Sequence, residues 1–534
     1  MPYVVTQSCC SDASCVYACP VNCIHPTPDE PDFLTAEMLY VDPQACVDCG
    51  ACATACPVDA ITSTKKLTSE QLPFIEINAD FYRQERPRPL LARPVPAAEV
   101  KPGREPLRVA IVGSGPSAMY AADELLTQPG VSVTVFDKVT TPYGLARFGV
   151  APDHTKTRKV GNLFDVISAQ QGFGSYLNVN VGEHVSHEEL LAHHHAVIYA
   201  VGASSDRKLG IPGEGLPGSA SATDFVAWYN GHPDQVGRYF DLSHRRAVIV
   251  GNGNVALDVA RLLTTDPELL ADTDVSQRAL IALRRSNIEE VVILGRRGPA
   301  ESAFTVPEFV GLLGADVDIV VEGEIPEPVE GMSQKVEHKL KLLRGLAERS
   351  KDRADRPVGG RKRIVFRYLS APTAFAGVDR VTGVEVVRNE LVTGDNGGVH
   401  AVSTEEVETL EAGLVLTSVG YRGVALPGLP FDERAGIIPN TDGRVTEESG
   451  GAVVPGAYVT GWIKRGPTGF IGTNKSCAQQ TVRQLVDDFN AGRLAQPARS
   501  AGDFDRLVGE RQPHAVRGGA VNRPRRKLPL LVRR

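Results

Sequence analysis

Residues 109–118 read VAIVGSGPSA, a buried-strand run that leads into a glycine-rich turn and then into a helix. A strand, a GxGxxA turn and a helix in this order are typical of a dinucleotide-binding unit. Gly113 permits the tight turn, Gly115 lets the backbone approach a pyrophosphate, and the helix N-terminus supplies partial positive charge. The next predicted strand, 131–136, ends at Asp137, where a carboxylate can bond a ribose hydroxyl. The sequence therefore predicts a dinucleotide site at this turn.

The pattern returns at residues 247–256, which read AVIVGNGNVA and precede a second predicted helix. Here the following strand, Val291–Leu294, ends in Arg296 and Arg297 rather than in an acid. Paired guanidinium groups at this place suit a ribose 2′-phosphate, so we predict NADP rather than NAD. The strand of the first unit ends in an acid, and that of the second unit ends in two arginines. This order predicts that FAD binds to the first unit and NADPH to the second. Residues 276–285 are predicted to form an extra helix within the second unit.

Length and composition indicate a multidomain globular protein. The chain has 534 residues, 42% of them apolar and 23% charged, and roughly 150 residues per domain predicts three to four domains. No apolar run approaches the roughly 18 residues that a membrane helix needs, so we expect no membrane insertion. The net charge of −7 gives no reason to expect nucleic-acid binding. Because the sequence shows no export signal, we expect a cytoplasmic protein.

Acidic residues and cysteines are concentrated at the N-terminus. Residues 1–80 contain eleven acidic residues and two lysines, a net charge of −9, and nine of the ten cysteines lie within residues 9–56. A disulfide framework belongs to small secreted chains, whereas this long chain is expected to meet a reducing cytosol. The nine cysteines therefore need a different explanation.

The spacing Cys46-x2-Cys49-x2-Cys52-x3-Cys56-Pro57 is the complete run that bacterial ferredoxins use. In that run three thiolates hold one [4Fe-4S] cluster, and the fourth reaches a neighbouring cluster. This spacing favours iron–sulfur ligation over a zinc knuckle or a disulfide cluster. It also predicts a second cluster that receives Cys56.

The upstream run departs from this spacing at one position. Counting back from Cys19, cysteines are expected at positions 15, 12 and 9, and the sequence has Cys15, Asp12 and Cys9. Two interpretations stay open: these two cysteines and Cys56 hold a [3Fe-4S] centre, or Asp12 binds a fourth iron through oxygen. We favour the three-iron form because thiolate suits iron–sulfur clusters better than carboxylate does.

The remaining N-terminal cysteines follow from this assignment. Cys19 is expected to cross over and complete the other cluster with Cys46, Cys49 and Cys52. Cys10 and Cys23 are then left over, and we expect buried thiols that bind no metal. Residues 1–80 resemble a bacterial seven-iron or eight-iron ferredoxin at each ligand position except Asp12.

Four further motifs lie between the first glycine turn and residue 490. They are PYGLARFGVAPDH (142–154), GNVALDVAR (253–261), GRRGP (295–299) with AFT (303–305), and GWIKRGPTG (461–469). With these motifs, residues 107–490 resemble adrenodoxin reductase, the mitochondrial-type ferredoxin–NADP reductase. Together with the iron–sulfur module, the whole chain resembles the bacterial fused ferredoxin/ferredoxin–NADP reductases.

The resemblance implies which residues contact the two nucleotides. The FAD contacts are Gly113, Gly115, Ser117, Asp137, Leu145, Val181, Trp462, Gly469, Phe470 and Ile471. The NADP contacts are Asn252, Gly253, Asn254, Val255, Arg296, Arg297 and Glu308, and Gly469 also lies beside the nicotinamide. The implied catalytic residues are His154, Glu308 and Trp462. The resembled family more often has glutamate at the position of Asp137.

The expected fold class is α/β, with two nested three-layer dinucleotide-binding domains preceded by a small α+β ferredoxin-like two-cluster domain. The expected ranges are 1–82 for the ferredoxin domain, 83–106 for a Pro/Arg-rich linker, 107–203 and 421–534 for the FAD domain, and 204–420 for the NADP domain.

The expected activity is that of a ferredoxin–NADP reductase. A hydride passes from NADPH to FAD, and single electrons then reach an external ferredoxin or cytochrome P450-type acceptor through the iron–sulfur clusters. The cofactors carry this chemistry, so the task of the protein is placement. Two alternatives stay open: a glutamate-synthase small-subunit type that feeds a larger partner, and a non-enzymatic redox sensor. The basic run 523–534 is predicted to be a solvated tail.

Overall fold

The structure, a computed structural model, describes residues 2–84, 91–92, 95–350, 361–394 and 398–519. Parts of the predicted linker, at 85–90 and 93–94, and the predicted basic tail lie outside the described residues. None of the described helices combines the length and the apolar character that crossing a bilayer requires. A small α+β domain precedes two large sheets flanked by helices, which confirms the predicted fold class.

The N-terminal domain repeats one local structure at its two cysteine runs. Each run forms a five-residue helix, α1 (Ser14–Ala18) or α2 (Ala51–Ala55), which follows a residue with left-handed backbone and ends at an extended cysteine. These cysteines, Cys19 and Cys56, precede proline, which disfavours helical backbone and ends both helices. The other elements are β1 (Tyr3–Val5), β2 (Ile24–His25), β3 (Tyr40–Val41), β4 (Ile61–Ser63) and α3 (Pro73–Asp80). Strand β1 pairs with β4, and β2 with β3.

The first large sheet begins after the linker. Its parallel strands are β5 (Arg108–Val112), β6 (Ser132–Asp137), β7 (Phe173–Leu177) and β8 (Ala196–Tyr199), in the order β8-β5-β6-β7. The helices are α4 (Pro116–Leu126), α5 (Leu145–Phe148), α6 (Thr155–Arg158), α7 (Val160–Ser168) and α8 (His187–His193).

The turn between β5 and α4 requires glycine. Gly113 has a φ of 103°, and a Cβ there would overlap the carbonyl oxygen of Ala200 at the end of β8. Pro116 occupies the first turn of α4, where its missing N–H costs no helical hydrogen bond. The N–H groups of the helix N-terminus therefore face the carboxyl edge of the sheet.

The second large sheet is built from six parallel strands in the order β10-β18-β11-β12-β14-β13. The strands from 205 to 422 are β9 (Ser205–Asp206), β10 (Ser219–Ser221), β11 (Arg246–Val250), β12 (Glu290–Leu294), β13 (Asp318–Glu322), β14 (Arg363–Arg367), β15 (Ser370–Ala376), β16 (Gly383–Thr393), β17 (Val399–Glu411), β18 (Leu414–Thr417) and β19 (Tyr421–Arg422). Strands β15, β16 and β17 form a separate antiparallel sheet, and β9 pairs with β19.

The helices of this region are α9 (Ala222–Tyr229), α10 (Asn254–Thr264), α11 (Pro267–Leu270), α12 (Gln277–Arg284), α13 (Val306–Leu313) and α14 (Gln334–Ser350). Helix α12 confirms the extra helix predicted at 276–285. Short 3₁₀ turns occur at Thr64–Lys66, Ser69–Gln71, Pro233–Gln235 and Pro299–Glu301.

The chain then returns to the first sheet. Strand β22 (Val453–Val459) pairs parallel to β8, and β23 (Val516–Gly519) pairs antiparallel to β7. The remaining elements are β20 (Asn440–Thr441), β21 (Arg444–Thr446), α15 (Trp462–Arg465), α16 (Thr473–Asn490) and α17 (Ala501–Arg511). Helix α16 packs against α4, so the N-termini of both helices lie at the same edge of the sheet.

Candidate functional site

Five cysteines face one apolar recess in the N-terminal domain. Among the residues that line it are Tyr3, Val21, Val41, Val47, Cys19, Cys23, Cys46, Cys49 and Cys52. Cys23, which we predicted to bind no metal, is buried there, and its Sγ is 3.4 Å from the Sγ of Cys19. Burial raises the pKa of Cys52 to about 12, and the nearby Cys46 adds to the rise. A cationic iron cluster would offset this cost because metal ligation favours the thiolate.

A second group of thiols is formed by Cys9 and Cys15 of the upstream run and Cys56 of the downstream run. Burial raises the pKa of Cys9 to about 11 and that of Cys15 well above its ordinary value, and the neighbouring Cys56 adds to both shifts. Cys56 comes from the downstream run, so the structure brings together the three cysteines that the spacing assigned to one centre. The clustering of these thiols fits an iron–sulfur group held by the three residues.

Asp12 lies beside this second group, but its carboxylate is hydrogen-bonded to protein groups. Its Oδ1 accepts a hydrogen bond from the backbone N–H of Ser14 (3.1 Å), and its Oδ2 accepts one from the Ser14 hydroxyl (2.6 Å). The ammonium group of Lys475 lies 4.0 Å from the same Oδ2. Both oxygens therefore stabilise the start of helix α1 and the contact with α16.

The loop that carries Cys9 and Asp12 packs directly on the large sheet domain. The N–H of Gly472, just before helix α16, donates to the carbonyl oxygen of Cys10 (2.7 Å). A Cβ at Gly472 would overlap the backbone of Asp12, so no side chain fits between the two domains here. The Cys10 side chain is buried in the core of the first sheet domain. The second thiol group is therefore the one nearest to the predicted flavin site.

The predicted FAD residues meet at the carboxyl edge of the first sheet. The Oδ2 of Asp137 accepts a hydrogen bond from the Ser114 N–H in the glycine turn (2.9 Å). The Ser117 hydroxyl donates to Oδ1 of Asn474 (2.8 Å), which joins the first turns of α4 and α16. Two helix N-termini thus point at one place, an arrangement that favours an anion such as a pyrophosphate.

The C-terminal turn at 462–472 also has a buried donor available to a ligand. Arg465 donates through Nη2 to the Thr468 carbonyl and to Asn474 Oδ1, both at 3.0 Å. Within the described part of the chain, its buried Nη1 has no acceptor. A flavin with ring carbonyl oxygens at this place would satisfy that donor. The residues present therefore fit FAD.

The other predicted FAD contacts surround the same edge. Leu145 begins α5 directly after Gly144, where a Cβ would lie 3.1 Å from the Cα of Gly115. Val181 follows Val179, whose N–H donates to the carbonyl oxygen of Asp137 (2.8 Å). The Trp462 indole N–H donates to the Thr468 carbonyl (3.0 Å), and this hydrogen bond closes the segment directly before Gly469, Phe470 and Ile471.

The second glycine turn, predicted for NADP, is connected to the segment before α13. The side chain of Asn254 accepts from the Thr305 N–H (2.8 Å), and that of Asn252 accepts from the Ala303 N–H (3.3 Å). Gly253 caps α10, and Val255 lies in its first turn. These two asparagine side chains therefore hold the 303–305 segment, and with it the start of α13, against the glycine turn.

Arg296 and Arg297 follow strand β12 and are both exposed. In the described part of the chain neither guanidinium has a carboxylate partner. Their backbone is fixed instead: the buried Asn389 side chain donates to the Arg296 carbonyl (2.9 Å), and the Leu369 N–H donates to the Arg297 carbonyl (3.1 Å). A rigid turn with two unpaired guanidinium groups suits a phosphate.

His154 and Glu308 meet in a cluster of charged groups between the two sheet domains. The Nε2 of His154 lies 3.5 Å from Asp258 Oδ1 and 3.8 Å from Glu308 Oε2. Arg261 pairs with Asp153 and, at 2.5 Å, with Asp258. Burial lowers the pKa of His154, but the two carboxylates outweigh burial and raise it above its ordinary value. The cluster thus places a histidine between two carboxylates close to the predicted nicotinamide site.

Models of known protein families match both the N-terminal domain and the sheet domains of the chain. The 4Fe-4S binding domain model matches residues 39–62, and the pyridine nucleotide-disulphide oxidoreductase model matches residues 107–289. A Mycobacterium leprae protein named ferredoxin/ferredoxin–NADP reductase is 54% identical over 555 residues, which cover 99% of this chain and 96% of that protein. The chain belongs to the ferredoxin/ferredoxin–NADP reductases.

Other relatives of this reductase family match a smaller share of the chain. The structure of Mycobacterium tuberculosis FprA in complex with NADPH has a TM-score of 0.70 and 45% identity, and the match covers 77% of this chain and 92% of FprA. The Arabidopsis thaliana mitochondrial NADPH:adrenodoxin oxidoreductase is 39% identical over 406 residues, which cover 72% of this chain and 83% of that protein. The resemblance inferred from the motifs is therefore confirmed for this fused reductase.

Sequence reasoning missed four residues that the structure places in the candidate site. Asp258 and Arg261 lie one helical turn apart on α10, a spacing visible in the quoted motif GNVALDVAR. Arg465 lies in the motif GWIKRGPTG, but no sequence signal shows that its Nη1 lacks an acceptor. Gln7 donates to Glu308 from 301 positions away, and nothing in the sequence indicates that contact.

Proposed function

We propose that this reductase binds NADPH and FAD in the two sheet domains and delivers single electrons through two iron–sulfur clusters to an external redox protein. One observation carries the proposal: the Cys10–Asp12 backbone lies against Gly472, at the turn predicted to contact the flavin. FAD, when bound, supplies both hydride and one-electron chemistry. The protein groups hold the reactants in place.

On the flavin side, the residues stabilise negative charge. The N-terminus of α16 lies at the turn predicted to contact the flavin, and Arg465, whose Nη1 has no acceptor among the described residues, is hydrogen-bonded to Asn474 in its first turn. The partial positive charge of a helix N-terminus and the charge of a guanidinium both favour the reduced, anionic form of the flavin ring. Asp137 and Ser117 would bind the ribose and pyrophosphate end.

On the nicotinamide side, Arg296 and Arg297 would hold the 2′-phosphate, and Asn252, Gly253, Asn254 and Val255 the pyrophosphate. Glu308 and His154 would flank the nicotinamide, with Asp258 and Arg261 holding the histidine. These residues would bind and orient the nucleotide.

The cysteines would hold two different clusters. We assign Cys9, Cys15 and Cys56 to a three-iron centre, because the Asp12 carboxylate is already hydrogen-bonded through both oxygens. We assign a [4Fe-4S] cluster to the recess with Cys19, Cys46, Cys49 and Cys52. Cys49 is exposed, and Val47 beside it is 58% exposed, so this recess is the one that an external protein can approach.

The last parts of the proposal are the electron acceptor and the location of the reductase in the cell. We propose an external ferredoxin or cytochrome P450-type protein as acceptor, because the exposed recess offers a protein contact and no substrate pocket. We place the reductase in the cytoplasm, because ten free cysteines suit a reducing compartment. The domain ranges we propose are those expected from the sequence. Strands β5–β8 and β20–β23 fall within the ranges of the FAD domain, and β10–β18 fall within that of the NADP domain.

Cys49→Ser tests the proposed electron route. We expect it to lower NADPH-driven reduction of a ferredoxin by about tenfold or more, since a cluster missing a thiolate ligand is lost or altered. Reduction of ferricyanide, which accepts electrons from the flavin, should change by less than about twofold. Cys23→Ser is the matched control, because it removes a thiol from the same recess without removing an assigned ligand. Full ferredoxin reduction by Cys49→Ser, or an equal loss in both variants, would refute this route.

A further inference from the structure

Helix α13 carries Glu308 and lies between two domains. Phe309 and Leu312 pack into the core of the second sheet domain. Val306 and Val310 pack instead with the N-terminal domain, in a core that includes Cys15 and Cys52. The position of Glu308 therefore depends on both domains, because one side of the helix packs against the ferredoxin domain.

The N-terminus of α13 is also capped by the ferredoxin domain. Thr305, the residue before the helix, makes no side-chain cap. The N–H of Val306 donates to Oε2 of Glu37 (2.7 Å), a residue 269 positions away. The other Glu37 oxygen lies 3.3 Å from the buried ammonium of Lys339. A carboxylate at this end of the helix stabilises the first turn, which contains Glu308.

Gln7 of the ferredoxin domain contacts the carboxylate of Glu308 directly. Its amide Nε2 donates to Oε2 of Glu308 (2.7 Å). One turn further along α13, a Cβ at Gly311 would overlap the Gln7 amide, so glycine leaves room for the side chain to lie on the helix. The oxygen that Gln7 holds is also the oxygen that faces His154, at 3.8 Å.

We propose that Gln7 is a positioning residue for Glu308, through which the docked ferredoxin domain completes the nicotinamide side of the site. The inference rests on the proposed function of Glu308 and goes beyond it. The neutral amide holds Oε2 of Glu308 in place, so the carboxylate keeps its negative charge directed at His154. The electron-accepting domain thus fixes the geometry of the hydride-transfer step.

Gln7→Ala and Gln7→Glu test this role in the full-length holoprotein. We expect Gln7→Ala to lower the rate constant of FAD reduction at saturating NADPH by about fivefold to tenfold. Gln7→Glu should lower it further, because it places two carboxylates at hydrogen-bonding distance. The calorimetric dissociation constant of NADP⁺ and the iron content per FAD should each change by less than about twofold, since phosphate binding and cluster ligation are untouched.

Glu76→Gln is the matched control at the same interface. It breaks the exposed Lys341–Glu76 pair (2.6 Å) without touching Glu308, so FAD reduction should match that of the unaltered protein. If both Gln7 variants reduce FAD at the unaltered rate, or if Glu76→Gln loses as much as Gln7→Ala, the positioning role is wrong. Failure of the unaltered protein to oxidise NADPH would instead reject the proposed function itself.

Discussion

Gly472→Ala is expected to slow NADPH-driven reduction of a ferredoxin by about tenfold, because the added methyl overlaps the Asp12 backbone and displaces the loop that carries Cys9. The backbone at Gly472 is right-handed helical (φ −74°), so alanine is conformationally acceptable there. In a reductase without the ferredoxin domain the same change would be harmless or slightly stabilising. The loss therefore reports the domain contact and not a local defect. Ferredoxin and ferricyanide reduction, measured side by side, separate the two steps.

Gly161→Ala provides the control for this experiment. Gly161 lies in helix α7, and an added Cβ would meet nothing within 4 Å. Both acceptor rates should therefore equal those of the unaltered protein. Ferricyanide reduction by Gly472→Ala should fall much less than ferredoxin reduction. Unchanged ferredoxin reduction by Gly472→Ala would show that the Cys9 loop does not lie on the flavin-side turn.

Replacement of both Arg296 and Arg297 by alanine should convert a strong preference for NADPH into near indifference between NADPH and NADH. Each charge-assisted hydrogen bond to a phosphate contributes about 1.5–3 kcal/mol, so loss of one bond from each arginine should lower kcat/KM for NADPH about a hundredfold to ten-thousandfold. The kcat/KM for NADH, which has no 2′-phosphate, should change by less than about threefold. Steady-state kinetics with both nucleotides and ferricyanide measure this ratio.

The double lysine variant, Arg296→Lys with Arg297→Lys, controls for charge. Lysine keeps the positive charge but loses the planar, bidentate geometry, so an intermediate preference is expected. The backbone of the turn is held by Asn389 and Leu369 in either variant. Equal losses with NADPH and NADH in the alanine variant would mean that the arginines do not bind the 2′-phosphate.

The local signals in the sequence predicted local structure well. The run from Cys46 to Cys56 and its degenerate copy ending at Cys19 predicted two thiol groups with exchanged fourth ligands, because ligand spacing is a short-range constraint. The two glycine turns predicted both sheets for the same reason. Their surrounding strands are continuous apolar runs, which are typical of parallel strands buried on both faces.

The contacts between domains could not be predicted in this way. Gln7 with Glu308 and Glu37 with the N–H of Val306 join residues more than 260 positions apart, and no periodicity or spacing records such pairs. The role of Asp12 was left open for the same reason. Spacing shows that a ligand is replaced, but only the structure shows that Ser14 engages both carboxylate oxygens.

Electron delivery from NADPH to the N-terminal clusters is best tested by the iron content and EPR spectrum of the anaerobically purified protein, recorded before and after addition of NADPH. We expect about seven iron atoms per FAD, a three-iron signal in the oxidised protein, and loss of that signal once NADPH has reduced the flavin. About eight iron atoms with an EPR-silent oxidised state would make Asp12 a ligand and correct only that assignment. Absence of iron, or a cluster signal that persists after the flavin is fully reduced, would contradict electron delivery from NADPH through the N-terminal clusters.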